Sequence, residues 1–367
     1  MELEGGKPYE LDSGISVEVR SAEFKPRNER GRELRDAPQD RAVILIPGWG
    51  NSRLLTMNEL SQAFADNAGS RTFLVTARSL EQENKTTEAT PDFLYEEARA
   101  ISRFIKERGL KQITLTGHSQ GADRAINIAS ILQDDPDIKI DGLVLIGPTG
   151  LYEQNPVELG KAFATHVVGV PFVRPDIPRI AKQVENASQA GAPYIHDVAR
   201  NEKDRKTPEQ RTAAEISKEG MWDGILSNLG MVGRSLYKPG ALIRRISSEI
   251  KEMAKKNPRA EKIRAPITII AGAGDPVADR ERIVPSKREQ EVRTEMGETL
   301  ERRKDLAARE RILKENVFPS SPYIRMVVPG SEKLGNHLVQ IFRPDAVAKV
   351  SLYLLRRYAR ETTKAPL

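Results

Sequence analysis

Six short apolar runs constrain this chain more than any other feature. They are VILI at 43–46, TFLVT at 72–76, ITLT at 113–116, LVLI at 143–146, ITIIA at 267–271 and IRMVV at 324–328. Most set apolar residues side by side rather than alternating them with polar ones as a half-exposed strand would, the pattern of strands buried on both faces. Between them lie stretches with helical spacing. Residues 93–105 carry apolar side chains at 93, 94, 98, 101, 104 and 105, with Asp92 placed to cap a helix. Residues 122–132 put Ala125, Ile128, Ala129 and Leu132 on one face, and 345–358 close the chain as another helix. Strands alternating with helices predict an α/β fold, a mostly parallel sheet with helices on both faces. Residues 14–25 alternate polar and apolar, as an edge strand or hairpin arm would.

Two segments break the rhythm. Residues 151–262 separate two core strands and predict a helical cap or lid insertion. Residues 280–320 predict a second, charged insertion with a long helix around 286–315. The chain therefore divides into a first part of the core, 1–150, the insertion 151–262, and a second part, 263–367.

The net charge is +6, which invites a nucleic-acid partner. The pattern argues against one. From Asp279 to Glu315, 11 Lys/Arg stand against 10 Asp/Glu, and the lopsided stretch Lys251–Arg264 has no aromatics for base stacking. Cysteine is absent, which excludes disulfides, thiolate nucleophiles and cysteine metal sites. No stretch has the roughly 18 apolar residues that span a bilayer, and the N-terminus lacks a basic and apolar leader. These features lead us to expect a cytoplasmic protein.

Gly117-His118-Ser119-Gln120-Gly121 fits G-x-S-x-G between an expected strand and an expected helix. A sharp strand-to-helix turn lifts a serine hydroxyl clear of the sheet, and Gly117 and Gly121 spare it a Cβ clash. Ser119 is the candidate nucleophile. The Gln120 backbone N–H, at the helix start, is one candidate oxyanion donor. The other is the Trp49 N–H, in Pro47-Gly48-Trp49-Gly50-Asn51-Ser52 after the strand VILI. Gly48 and Ser52 are candidate pocket residues there, as are Met221 and Trp222 in the insertion.

An activated serine needs a base, and the base an orienting acid. Of the four histidines, His118 is expected to point away from the nucleophile, and His166 and His196 fall in the insertion. His337 follows the last apolar run and is the candidate base. Asp275 follows ITIIA in a Gly-rich turn and is the candidate acid, with Asp279 the alternative.

The order Ser119, Asp275, His337, each after a buried strand, resembles the α/β-hydrolase superfamily over residues 40–150 and 263–360. Within it the chain looks like carboxylesterases and monoacylglycerol-lipase-like enzymes. The resemblance implies a serine hydrolase acting on a small-molecule ester or related acyl bond, with no metal or organic cofactor. It also implies that 151–262 forms the lid. The chain departs in having Pro47-Gly48 where many relatives have His-Gly, and Ala122 where Gly is frequent. The 62 residues from Asp275 to His337 are about twice the usual gap. The alternative is a non-catalytic binding or scaffold protein on the same fold.

Overall fold

A computed structural model of the chain describes residues 4–28, 31–34, 36–48, 57–79, 92–162, 247, 249–271, 302–327 and 344–364. Its strands are β1 (Glu4–Glu10), β2 (Ser16–Phe24), β3 (Arg41–Ile46), β4 (Arg71–Ser79), β5 (Gln112–His118), β6 (Lys139–Ile146), β7 (Ile267–Ile270) and β8 (Ile324–Val327). Its helices are α1 (Asn58–Ala68), α2 (Phe93–Glu107), α3 (Gln120–Leu132), α4 (Pro156–Ala162), α5 (Arg302–Asn316) and α6 (Pro344–Lys364).

The strands form one sheet in the order β1-β2-β4-β3-β5-β6-β7-β8. β2 pairs antiparallel with β1 and β4, and every pair from β4 to β8 is parallel. The expected mostly parallel sheet is present. The alternating segment at 14–25 becomes β2, a hairpin arm with β1 outside it.

The runs of β3 to β7 are buried on both faces, whereas β8 exposes Arg325, and the pleat divides their apolar side chains between two cores. Ile44, Ile46, Phe73, Val75, Leu115, Leu143, Leu145 and Ile269 face one side with residues of α2 and α3. Val43, Leu45, Leu74, Val144, Ile146 and Ile270 face the other with residues of α1 and α6. This is why apolar residues stand side by side in most of the runs, while in β5 the alternate positions are taken by the buried Thr114 and Thr116.

The order of elements also sets where the strand order reverses. From β3 the chain turns to β4 on one side. From β5 it turns to β6 on the other. The carboxyl ends of β3 and β5 therefore flank the topological switch point, where open α/β sheets form their crevice.

One expectation needs correcting. Asp92 occupies the N-cap position of α2, but in left-handed backbone (φ 64°) and with no side-chain cap bond. Its carboxylate instead lies 3.4 Å from the Arg259 guanidinium. The expected charged helix at 286–315 appears as α5, Arg302–Asn316, within the described residues. The remainder of that span lies outside them. α5 covers the exposed side of β8: Glu310 accepts from the Met326 N–H at 2.8 Å and pairs with Arg325. A strand edge is thereby closed to further pairing.

One ion pair sits inside the core. Arg124 of α3 donates to Glu97 of α2 at 2.6 Å, and both side chains are almost fully buried. Removing one partner of such a pair leaves an uncompensated charge, which costs about 3–5 kcal/mol. Glu97→Gln is therefore expected to lower the unfolding free energy by about 3 kcal/mol in urea titration. A loss below about 1 kcal/mol would contradict this account of the pair.

Candidate active site

The local folding of GHSQG follows from three contacts that leave no room for a Cβ. On Gly117 a Cβ would lie 2.3 Å from the Gly121 carbonyl oxygen. On Gly121 it would lie 2.2 Å from the Ile46 carbonyl oxygen, and on Gly48 it would lie 2.8 Å from Ser119 Cβ. The end of β5, the start of α3 and the loop after β3 thus touch backbone to backbone. Gly48 and Ser119, 71 residues apart in sequence, meet at the switch point.

Ser119 joins β5 to α3 with φ 52° and ψ −123°. This region is costly for a residue with a Cβ, by roughly 1–3 kcal/mol, and such strain gathers at functional sites. The surroundings hold it there. The Ser119 N–H donates to the Ile146 carbonyl at 2.8 Å, and its own carbonyl accepts from the Ala122 N–H at 2.9 Å. Ser119 is 2% exposed, and its Oγ has no hydrogen-bond partner among the described residues.

Gln120 is the first residue of α3, so its N–H has no carbonyl one turn earlier to bond. It stands at the positive end of the helix, where an anion is favoured. Its side chain is turned into the protein: Oε1 accepts from Arg124 Nη1 at 2.9 Å. The buried Glu97–Arg124 pair therefore also fixes the residue that follows Ser119. His118 is buried in the strand immediately before it.

The other expected residues lie outside the described ones. These are Trp49 and Ser52 of the β3 loop, Met221 and Trp222 of the insertion, Asp275 with its alternative Asp279, and the histidines 166, 196 and 337. Among the described residues, no group of three or more His, Cys, Asp or Glu is placed to hold a metal ion. No helix among them is long and apolar enough to cross a membrane.

The structure adds a cluster that the motif did not announce. Asp123 of α3, four residues after Ser119, is buried with both carboxylate oxygens engaged. Thr149 Oγ1 donates to Oδ2 at 3.1 Å, and Asn257 Nδ2 donates to Oδ1 at 3.3 Å. Burial pushes the Asp123 carboxyl up to about 7, against the pull of Thr149, Asn257 and Arg124, with Glu252 adding to the rise. The folded protein thus holds a proton that the unfolded chain gives up at the ordinary carboxylate value of 3.8. That contribution to stability is fully present below 3.8 and is lost as pH rises through about 7. It amounts to about 4 kcal/mol at most, at 1.36 kcal/mol per unit. Unfolding free energy measured from pH 4 to 8 should fall by an amount of this order, and Asp123→Asn should remove that part of the slope. Equal slopes in the two proteins would contradict the assignment.

No protein-family model and no curated protein matches the sequence. Solved structures do. The chain is similar to a probable hydrolytic enzyme of Pseudomonas aeruginosa PAO1 at 15% identity and a TM-score of 0.51, over 96% of this chain and 93% of that one. It is also similar to a proline iminopeptidase of Mycobacterium smegmatis at 14% identity and a TM-score of 0.50, over 98% of this chain and 100% of that one. At such identities the likeness is one of fold.

Proposed function

We propose that this chain, which has the α/β-hydrolase fold, is a serine hydrolase that cleaves a carboxylic ester or related acyl bond through an acyl-enzyme on Ser119. One observation carries the proposal. Ser119 is held at positive φ between β5 and α3, at the switch point of the sheet, beside the glycine loop that follows β3. A plain strand-to-helix connection has no need of that strain, whereas a nucleophile presented above a sheet does.

In this reading His337 takes the Ser119 hydroxyl proton as Oγ attacks the acyl carbon. Asp275 orients the imidazole and stabilises its charged form. The N–H groups of Trp49 and Gln120 receive the oxyanion. Each such donor is typically worth roughly 2.7–4 kcal/mol of barrier. The tetrahedral intermediate collapses as the acyl–oxygen bond to the alcohol breaks, and the alcohol leaves with the proton from His337. Water then adds to the acyl carbon by the same route in reverse, frees the acid and restores Ser119. Residues 151–262 would form the cap that limits water and shapes a pocket for a small-molecule ester, with Met221 and Trp222 lining it.

The test is hydrolysis of p-nitrophenyl esters from acetate to palmitate by wild type and Ser119→Ala. The proposal expects turnover by wild type alone, with a length profile set by the cap. Equal rates for the two proteins would overturn it.

A further inference from the structure

The Asp123 cluster joins three parts of the chain that are distant in sequence. α3 supplies Asp123 and Asn127, the loop after β6 supplies Thr149 and Gly150, and the root of the insertion supplies Asn257. Asn257 is saturated: its Nδ2 serves Asp123 Oδ1 and Asn127 Oδ1, the latter at 3.0 Å. Its N–H donates to the Gly150 carbonyl at 2.7 Å, and its Oδ1 accepts from the Arg259 N–H at 2.9 Å. Gly150 has φ 77°, and a Cβ there would fall 1.8 Å from Asp123 Oδ1, so the loop is seated directly on the carboxylate. The same loop reaches Ser119, since the Thr149 N–H points at the Ser119 carbonyl oxygen at 3.5 Å.

We infer that Asp123 is a positioning residue, whose carboxyl fastens the wall beside Ser119 (147–150) and the root of the insertion (249–262) to α3, the helix that follows Ser119. The three then hold one arrangement around the nucleophile. The inference rests on the reading of Ser119 as nucleophile, but the fastening itself does not. The charged groups facing the carboxyl are Arg124, already engaged by Glu97 and Gln120, and Glu252 from the helical turn at 249–253. Neither replaces the two hydrogen bonds.

The geometry also tells two substitutions apart. In Asp123→Asn, Oδ1 can still accept from Asn257, and Nδ2 can donate to the Thr149 hydroxyl, which accepts as well as donates. In Asp123→Ala both contacts vanish, and Asn257 and Thr149 are left as buried polar groups without that partner.

The experiment combines amide hydrogen exchange with inactivation by a fluorophosphonate on wild type, Asp123→Asn, Asp123→Ala and Thr149→Val. For Asp123→Ala we expect at least tenfold faster exchange in 147–150 and 254–258, with β3 and β5 unchanged. The maximal inactivation rate should fall about tenfold while the half-saturating probe concentration stays within twofold. Asp123→Asn should match wild type within twofold in both assays. Thr149→Val keeps the shape and removes one donor, so it gives the same local pattern at smaller size if Asp123→Ala fails to fold. The inference is overturned if Asp123→Ala behaves as wild type. It is also overturned if exchange rises uniformly across the sheet, or if Asp123→Asn is as impaired as Asp123→Ala. If the probe leaves wild type unmodified, the nucleophile reading fails, and the exchange pattern still decides the fastening.

Discussion

Gly121→Ala is expected to destabilise the protein by more than about 4 kcal/mol, beyond the usual range for one substitution. Propensity alone says the opposite. Gly121 lies in the first turn of α3, where Ala is favoured over Gly by about 1 kcal/mol. The clash decides the sign. A Cβ would stand 2.2 Å from the Ile46 carbonyl oxygen and 2.6 Å from that of Pro47. Both obstacles are backbone, one of them the last residue of a central strand, so no side chain can swing aside. Relief requires α3 to part from β3, which opens the contact between the glycine loop and Ser119. Thermal unfolding checks this: at about 2–4 °C per kcal/mol for a large domain, the midpoint should drop by about 8 °C or more. A midpoint within about 2 °C of wild type would mean that the close approach is not as drawn.

The second large effect separates activity from stability. Ser119→Ala should lower the rate of ester hydrolysis by about 10⁴-fold or more, the scale of removing a nucleophile that acts as one unit with its base. The fold should not suffer, because the Ser119 hydroxyl is buried with no partner among the described residues. Ser119→Gly goes further, since it also relieves the positive φ of 52°. It should be as inactive as Ser119→Ala and more stable than wild type by about 1 kcal/mol. A nucleophile held in strain predicts this pairing of lost activity with gained stability. A serine placed only for packing predicts a loss of stability in both variants.

The sequence made some of this architecture legible and hid the rest for identifiable reasons. Strands buried on both faces are rich in adjacent apolar residues, so β3, β4, β6 and β7 stood out, while β5 and β8 were read from shorter apolar signals broken by Thr114 and Arg325. β1 did not: EGGKPYE has two glycines, a proline and no alternation, and it becomes a strand because β2 offers it a pairing edge. α1 has Met57 at its N-cap position with no side-chain cap bond, and its apolar stripe is short, so its signal is weak. The nucleophile turn could be read because its determinants are adjacent in sequence, and the two glycines have a steric meaning independent of context. Gly48 could be placed near it because a strand end and a switch point bring the loops together.

The polar interior required the fold. Glu97 falls on the apolar stripe of α2, between Phe93 and Ile101, and a charge there signals a buried partner. Nothing in the sequence says that the partner is Arg124. Asp123 in the first turn of α3 passes for an ordinary acidic residue complementing a helix dipole. Its partners come from 26 and 134 residues away, and only the sheet order brings them together.

The measurement that tests the central claim most directly is mapping the site of a fluorophosphonate adduct by peptide mass spectrometry. The account predicts a single phosphonyl group on Ser119, formed by wild type and absent after Ser119→Ala. No adduct on wild type, or an adduct on another residue that survives Ser119→Ala, would contradict the assignment of Ser119 as the nucleophile.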